Sequence, residues 1–476
     1  MRLLIIIWFL LSSLTVDCQS VMTDTIVDDA SHSSHWGYET EFQAGQVLML
    51  DKYQKAYMIG KSDYSAAFKF NHVSLPSDSD AFAYDYHYPT FSIVGKFSKN
   101  NGATMHRNKD FPHWDDLSED YYELAPYNTH LGNSFAIFGS FSWPLYRGNR
   151  WEFDLCGNLG VAYSTRKYDK HTSVDNDMIG SKVLFYAGGG VNATYRFASS
   201  WGVKAGLDYW HISNGSTRQP NRSANVLGPT LGVIYYPYYE TLLKERQTYI
   251  PPPFKPYWYL NIKGGVGMKT CFEDWERTQY QIKKDHPDWR TENFNLYSVA
   301  SFQADAMYRY ARIGAIGGGV DVQYNSCYSH IRDIDDEKGV NCEHHPWAIA
   351  LDVKHTLFYG NVSLALGVGA YLYKQLGDYS NRKDPFFFNR IGVHYTMPKL
   401  QNLTAGIEVK AHLTKADFAE IVISLPLRLK KSSYLCTRYD TNRATLECEL
   451  CEGVDGELHD ILLVHGGHAL ASPISE

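Results

Sequence analysis

Trp151-Glu152-Phe153-Asp154-Leu155-Cys156-Gly157-Asn158-Leu159-Gly160-Val161-Ala162-Tyr163-Ser164-Thr165 sets large apolar side chains against small or polar ones at a partial period of two. Successive side chains of a strand leave opposite faces, so this stretch reads as a strand between two unlike environments. Leu184 to Phe197 and Tyr257 to Val266 do the same, in a composition of Tyr, Phe, Val and Gly divided by turn residues. The first half holds eight such runs, near 38–50, 62–72, 90–98, 133–146, 150–166, 182–197, 200–213 and 228–238. The second half holds eight more, near 257–270, 294–310, 312–328, 347–359, 362–374, 387–397, 403–413 and 418–429.

The connections alternate. Segments 99–132 and 167–181 are long, whereas Arg147-Gly148-Asn149 and Ser199-Ser200 are tight. In the second half 271–293 and 329–346 are long and Tyr359-Gly360-Asn361 is tight. Short turns at one end and long loops at the other are expected of an antiparallel transmembrane β-barrel in an outer membrane. Segment 73–89 breaks the alternation. A soluble sandwich is the competing architecture, but its outer face should carry more charge.

Composition agrees. The chain has 476 residues, 45 Lys+Arg against 52 Asp+Glu, and a formal net charge of −7. It has no broad cationic surface on which to bind nucleic acid. Mean hydropathy is −0.35, and beyond the first twenty residues no apolar run is long enough for a spanning helix. The 36 Tyr, 23 Phe and 11 Trp suit aromatic girdles at a membrane surface. Residues 1–18, one Arg and a short apolar core, read as a secretory signal. Export makes the cysteines disulfide candidates; Cys327 and Cys342 would close one loop, although sequence fixes no pairing.

An internal repeat divides the chain. Ala205-Gly206-Leu207-Asp208-Tyr209-Trp210-His211-Ile212-Ser213 returns, with one inserted residue, as Ala405-Gly406-Ile407-Glu408-Val409-Lys410-Ala411-His412-Leu413-Thr414. Between the halves, Ile250-Pro251-Pro252-Pro253-Phe254 is a stiff spacer that no central strand would hold. The organisation expected is a barrel over 36–240, a Pro-rich linker over 241–256, a second barrel over 257–429 and a tail over 430–476. One sixteen-stranded barrel is the alternative to two tandem eight-stranded units.

Chemistry concentrates at 209–225. His211 and Ser213, two apart on a strand, leave one face about 7 Å apart along the chain. An imidazole so placed leans onto the hydroxyl and takes its proton, which is what an activated serine nucleophile needs. Asn214-Gly215 then turns the chain, offering an amide and unobstructed backbone N–H groups to an oxyanion. His-x-Ser alone is a weak signal, since a polar strand rim has the same composition.

The longer string His211-x-Ser213-Asn214-Gly215, Pro220-Asn221 and Leu231-Gly232-Val233 resembles the lipid A 3-O-deacylase (PagL-like) family and its Bacteroidetes-type acyloxyacyl hydrolase subset with an added C-terminal half. The likeness spans roughly 36–240, with the specific motif confined to 209–233. It implies an eight-stranded outer-membrane esterase of a Gram-negative bacterium that removes an acyl chain from outer-leaflet lipopolysaccharide. His211 would be the general base, Ser213 the nucleophile and Asn214 an oxyanion donor, with no cofactor and no metal. The family's enzymes place a glutamate fourteen residues after the histidine; here that position is Asn225, which orients an imidazole but stabilises the imidazolium less. Asp208 has the wrong parity to substitute. The rival reading is a non-catalytic barrel, a porin or structural protein with a remnant site; the resemblance fixes no oligomeric state.

In the second half His412 is followed by Thr414 instead of serine, and the Asn-Gly turn is missing. Cys448, Cys451, His465 and His468 have histidine spacing too short for the usual zinc pattern, and His344-His345 beside Cys342 reads as a solvated loop.

Overall fold

The computed structural model describes residues 35–50, 52–106 and 129–429. The expected signal at 1–18 and the tail from 430, with its Cys and His residues, lie outside the described residues.

Period two folds as read. β1 (Trp36–Val47), β2 (Ser62–Val73) and β3 (Thr90–Gly102) are followed by a small hairpin of β4 (Thr104–Met105) and β5 (Thr129–His130). β6 (Ser134–Arg147), β7 (Trp151–Ser164), β8 (Val183–Arg196), β9 (Trp201–Ser213) and β10 (Ala224–Tyr235) complete the first half. β1, β2, β3 and β6 to β10 close into an eight-stranded barrel, sealed by β1 against β10. The second half is β11 (Tyr257–Lys269), β12 (Tyr297–Ala311), β13 (Gly314–Asn325), β14 (Trp347–Tyr359), β15 (Val362–Lys374), β16 (Phe387–Met397), β17 (Leu403–His412) and β18 (Lys415–Arg428). These eight close as a second barrel, so the sixteen-stranded alternative falls.

Three segments differ from expectation. β10 begins at Ala224 because Ala224-Asn225, a loop by composition, pairs with Ile212 and His211 of β9. Segment 74–89 holds a short helix, Ala81–Asp85, at the tight-turn end. The segment read as linker starts within a helix, Tyr239–Glu245, which buries Tyr239 and Leu242.

Parity sorts environment. Outward positions carry Phe42, Phe68, Ile93, Phe135, Ile137, Val161 and Leu231, all more than half exposed, as a lipid-facing wall requires. Inward positions carry ions in pairs. Lys69 lies 2.9 Å from Glu39 and 2.7 Å from Glu41, and Lys96 lies 3.5 Å from Asp208. In the second barrel Lys354 is 2.7 Å from Asp305 and 3.0 Å from Asp352, and Arg390 is 2.8 Å from Asp321. Such pairs roughly offset their own desolvation, while loss of one partner costs about 3–5 kcal/mol. Ion pairs line both lumens, and the second keeps a cavity of about 460 Å³ lined by Lys263, Asp305, Lys354, His394 and Ser424.

The barrels are clasped at both ends. Tyr359 at the β14–β15 turn donates to Asp80 at 2.7 Å, and Arg312 bonds Asp85 at 2.8 Å. At the long-loop end Tyr168 donates to Gln279 at 2.9 Å, and Lys167 pairs with Glu292 at 2.7 Å.

Candidate active site

β9 decides which residues meet. Gly202, Lys204, Asp208, Trp210 and Ile212 point into the barrel, so Tyr209, His211 and Ser213 face outward. Trp210 is fully buried; its indole N–H donates to Gln43 at 3.0 Å, and Lys96 lies 5.5 Å over the ring. This tryptophan is inside because its polar edge and its π-face both have partners there. Asp208, tied to Lys96, stands behind the wall from His211 and takes no part.

β10 lies antiparallel to β9 with Asn225 directly opposite His211. His211 Nδ1 is 2.8 Å from Asn225 Oδ1, and Nε2 is 2.9 Å from Ser213 Oγ. The Tyr209 hydroxyl donates to the same Asn225 oxygen at 2.6 Å. Asn225 Nδ2 donates to Ser223 Oγ at 3.1 Å, and that hydroxyl in turn donates to the Arg222 carbonyl. Ser223 therefore has only lone pairs left for the amide, which turns the Asn225 oxygen toward the imidazole. An acceptor at Nδ1 keeps the proton there and leaves Nε2 free to accept from Ser213. Asn225 is fully buried and Ser213 is 6% exposed. Among the described residues no carboxylate pairs with the ring.

The turn after Ser213 is built differently from expectation. The Asn214 N–H donates to Asn221 Oδ1 at 3.0 Å, and its side-chain amide donates to the Arg218 carbonyl at 2.9 Å. Asn214 thus braces its own loop, and Asn221 of the Pro-Asn pair ties the loop's two arms. Directly after Asn214, the N–H groups of Gly215 and Ser216 bond no acceptor among the described residues, as is also true of Gln219 and Asn221 farther along the loop. Gly215 has φ +63°, and a side chain there would stand 3.0 Å from Phe185 and 3.1 Å from Ala419 of β18. Both N–H donors of Asn214 are thus engaged within the loop, whereas the Gly215 and Ser216 N–H groups are unbonded.

Sequence reasoning missed two contributors. Tyr209, whose hydroxyl bonds Asn225, is one. Thr270, just after β11, reaches the turn from the second barrel: its N–H and hydroxyl both donate to the Ser216 carbonyl at 2.8 Å, and Gln219 donates to its hydroxyl at 3.1 Å. Register across β9 and β10 would have signalled Tyr209; no local signal marks Thr270.

The corresponding second-half histidine faces the other way. His412 is buried inside its barrel with Nε2 2.9 Å from the Tyr371 hydroxyl, and Thr414 lies exposed in the β17–β18 turn. Cys327 and Cys342 are not neighbours in the way expected: Cys327 stands beside Cys271, and Cys342 stands with Asp335 and His344. Each keeps a free thiol.

The family model for lipid A 3-O-deacylase (PagL) matches residues 101–233, and that for the acyloxyacyl hydrolase C-terminal domain matches residues 257–428. The chain belongs to the lipid A 3-O-deacylase (PagL) family. The first match contains His211, Ser213 and Asn225 but begins well after residue 36. Membership makes this an acyl-removing enzyme of the Gram-negative outer membrane, carrying the family's additional C-terminal domain. Among solved structures, the outer membrane enzyme PagL is 11% identical, covering 41% of this chain and 98% of its own, at a TM-score of 0.24. A ferric enterobactin receptor (PfeA) is 11% identical over 78% of this chain and 53% of its own, at a TM-score of 0.21. Scores this low carry no weight beside the family matches. No curated protein matches the chain in sequence.

Proposed function

We propose that this PagL-family chain is a serine-type esterase that removes an ester-linked acyl chain from lipid A or a closely related envelope lipid. The observation that carries the reading is the unbroken relay from Asn225 through both nitrogens of His211 to Ser213, on the lipid-facing side of the wall, with bonds of 2.8 and 2.9 Å.

Ser213 Oγ attacks the ester carbonyl carbon as its proton passes to His211 Nε2. The carbonyl π-pair moves onto oxygen, and the Gly215 and Ser216 N–H groups receive that charge. Collapse breaks the bond to the sugar oxygen, which leaves with the Nε2 proton. Water then repeats the sequence on the acyl-Ser213 ester and releases the fatty acid. Throughout, Asn225 accepts the Nδ1 proton's hydrogen bond and fixes the ring plane. The absence of a carboxylate in that place accounts for an imidazolium less stabilised than the family's Glu would make it. Acyl chains would lie along the outer wall beside Leu207 and Leu231, so the site needs no deep pocket.

The test is Ser213→Ala assayed on purified lipopolysaccharide, with released fatty acid and the mass of the remaining lipid measured. Deacylation should vanish while heat-modifiable migration of the barrel is retained. Equal acyl release by the folded variant would refute the nucleophile.

A further inference from the structure

A second group of reactive side chains lies apart from the relay, among the long loops of the second barrel. The helix Tyr328–Glu337 contributes Asp335, and the following connection contributes Cys342 and His344. The side chains of Asp335 and His344 are 3% and 6% exposed. His344 Nε2 is 2.8 Å from Asp335 Oδ2, and Cys342 Sγ lies 3.5 Å from His344 Nε2 and 3.6 Å from Asp335 Oδ2.

These separations can be tested against metal geometry. Tetrahedral zinc with Zn–S about 2.3 Å and Zn–N or Zn–O about 2.0–2.2 Å sets sulfur about 3.5–3.7 Å from either partner, and nitrogen about 3.3–3.5 Å from oxygen. Both sulfur edges already fit, at 3.5 and 3.6 Å. The nitrogen–oxygen edge, now 2.8 Å, needs to open by roughly 0.5 Å. The cluster is also supported from outside. The Asp378 N–H donates to Asp335 Oδ2 at 3.0 Å, the kind of outer contact that aims a ligating carboxylate. Gly377 lies so close that a side chain there would stand 2.3 Å from Ile331 Cγ2 and 3.1 Å from Asp335 Oδ2.

We propose that Asp335, Cys342 and His344 form a zinc site, with water in the fourth position, that staples the helix Tyr328–Glu337 to the connection preceding β14. One thiol proton leaves for each Zn²⁺ bound. The resulting Cys⁻, Asp⁻ and neutral His balance the ion's charge, so a partly buried cluster carries no net charge. Soft sulfur with imidazole and one carboxylate selects zinc or cobalt over magnesium or calcium. The site is independent of the esterase reading.

The experiment uses the full chain in detergent micelles, reduced and stripped with a chelator, with Cys436, Cys448 and Cys451 replaced by serine to remove the tail's thiols. Titration with Co²⁺ should give a thiolate-to-cobalt charge-transfer band saturating at one equivalent and displaced by Zn²⁺. Cys342→Ser should abolish the band, and Asp335→Asn should weaken Co²⁺ affinity at least tenfold, both with heat-modifiable migration unchanged. No band in the parent, or an equal band in folded Cys342→Ser, overturns the proposal. If Cys342→Ser fails to fold, blocking the Cys342 thiol on the folded parent with a small alkylating reagent gives the same reading: a surviving band overturns the site.

Discussion

Replacing Asn225 with leucine isolates its role, because the side chain is fully buried and cannot touch substrate. The change preserves approximate volume but deletes the acceptor of two bonds, from His211 at 2.8 Å and Tyr209 at 2.6 Å. Without it nothing holds the proton on Nδ1, and in the other tautomer Nε2 carries a proton and cannot accept one from Ser213. One such hydrogen bond contributes about 1–1.5 kcal/mol net, which corresponds to a kcat lowered roughly 5- to 13-fold. A ring locked in the wrong tautomer would set the ceiling, at about 10⁴-fold. The assay is steady-state fatty-acid release from lipid A in micelles, referred to the folded fraction. The expected signature is a kcat effect with KM unchanged. A folded variant whose kcat stays within about twofold of the parent, or whose KM alone rises, refutes the relay. The converse variant Asn225→Asp should raise kcat, since a carboxylate accepts the same two bonds and adds charge opposite the imidazolium; a fall in the folded variant counts against that account.

Thr270→Val removes the hydroxyl bonds to Ser216 and Gln219 but keeps the backbone bond, so kcat should drop about 5-fold, for about 1 kcal/mol, at unchanged KM; an unaltered kcat would free the turn from dependence on the second barrel. Lys354→Met strands Asp305 and Asp352 without their shared cation, and should lower the temperature at which the compact band converts on gels, for a cost of about 3–5 kcal/mol. His330, 2.7 Å from Asp274, has its pKa raised above 6.5 by that hydrogen bond against the opposing effect of burial. Its pairing is therefore complete below pH 6.5 and lost as pH rises through the raised value. Protease cleavage within the helix Tyr328–Glu337 should quicken over that rise, and His330→Gln should flatten the dependence; the same slope in both proteins would assign it elsewhere.

Period two in Trp151–Ser164 and its fifteen companions made the barrel strands legible, because a wall between lipid and a polar lumen imposes alternation on every strand. The proline spacer after Ile250 made two closures more credible than one. His211 and Ser213 were visible because their relation is local, two steps on one strand. Asn225 came from the family resemblance, which implies an orienting residue fourteen positions after the histidine, but its bond to Tyr209 needed the β9–β10 register. Thr270 was out of reach, since the two closed barrels meet through loops whose partners no periodicity encodes. That the Asn214 amide would bond the Arg218 carbonyl was not legible, because an asparagine after a strand caps its own turn as readily as it faces solvent. The side taken by Trp210 was not legible either, since tryptophan favours a membrane surface on average and only the fold supplies Gln43 to bond its indole N–H.

The orientation of His412 has an evolutionary corollary. Leu207 and Ile407 both point outward, yet His211 follows the first by four residues and His412 follows the second by five. An odd step on a strand reverses the side of the wall. Exchanging Thr414 for serine, or any other single amino-acid replacement, therefore leaves this imidazole in the lumen. Only a change in residue count would turn it toward lipid, so the C-terminal half is separated from a working relay by a frame of one, a gap that gradual substitution does not cross.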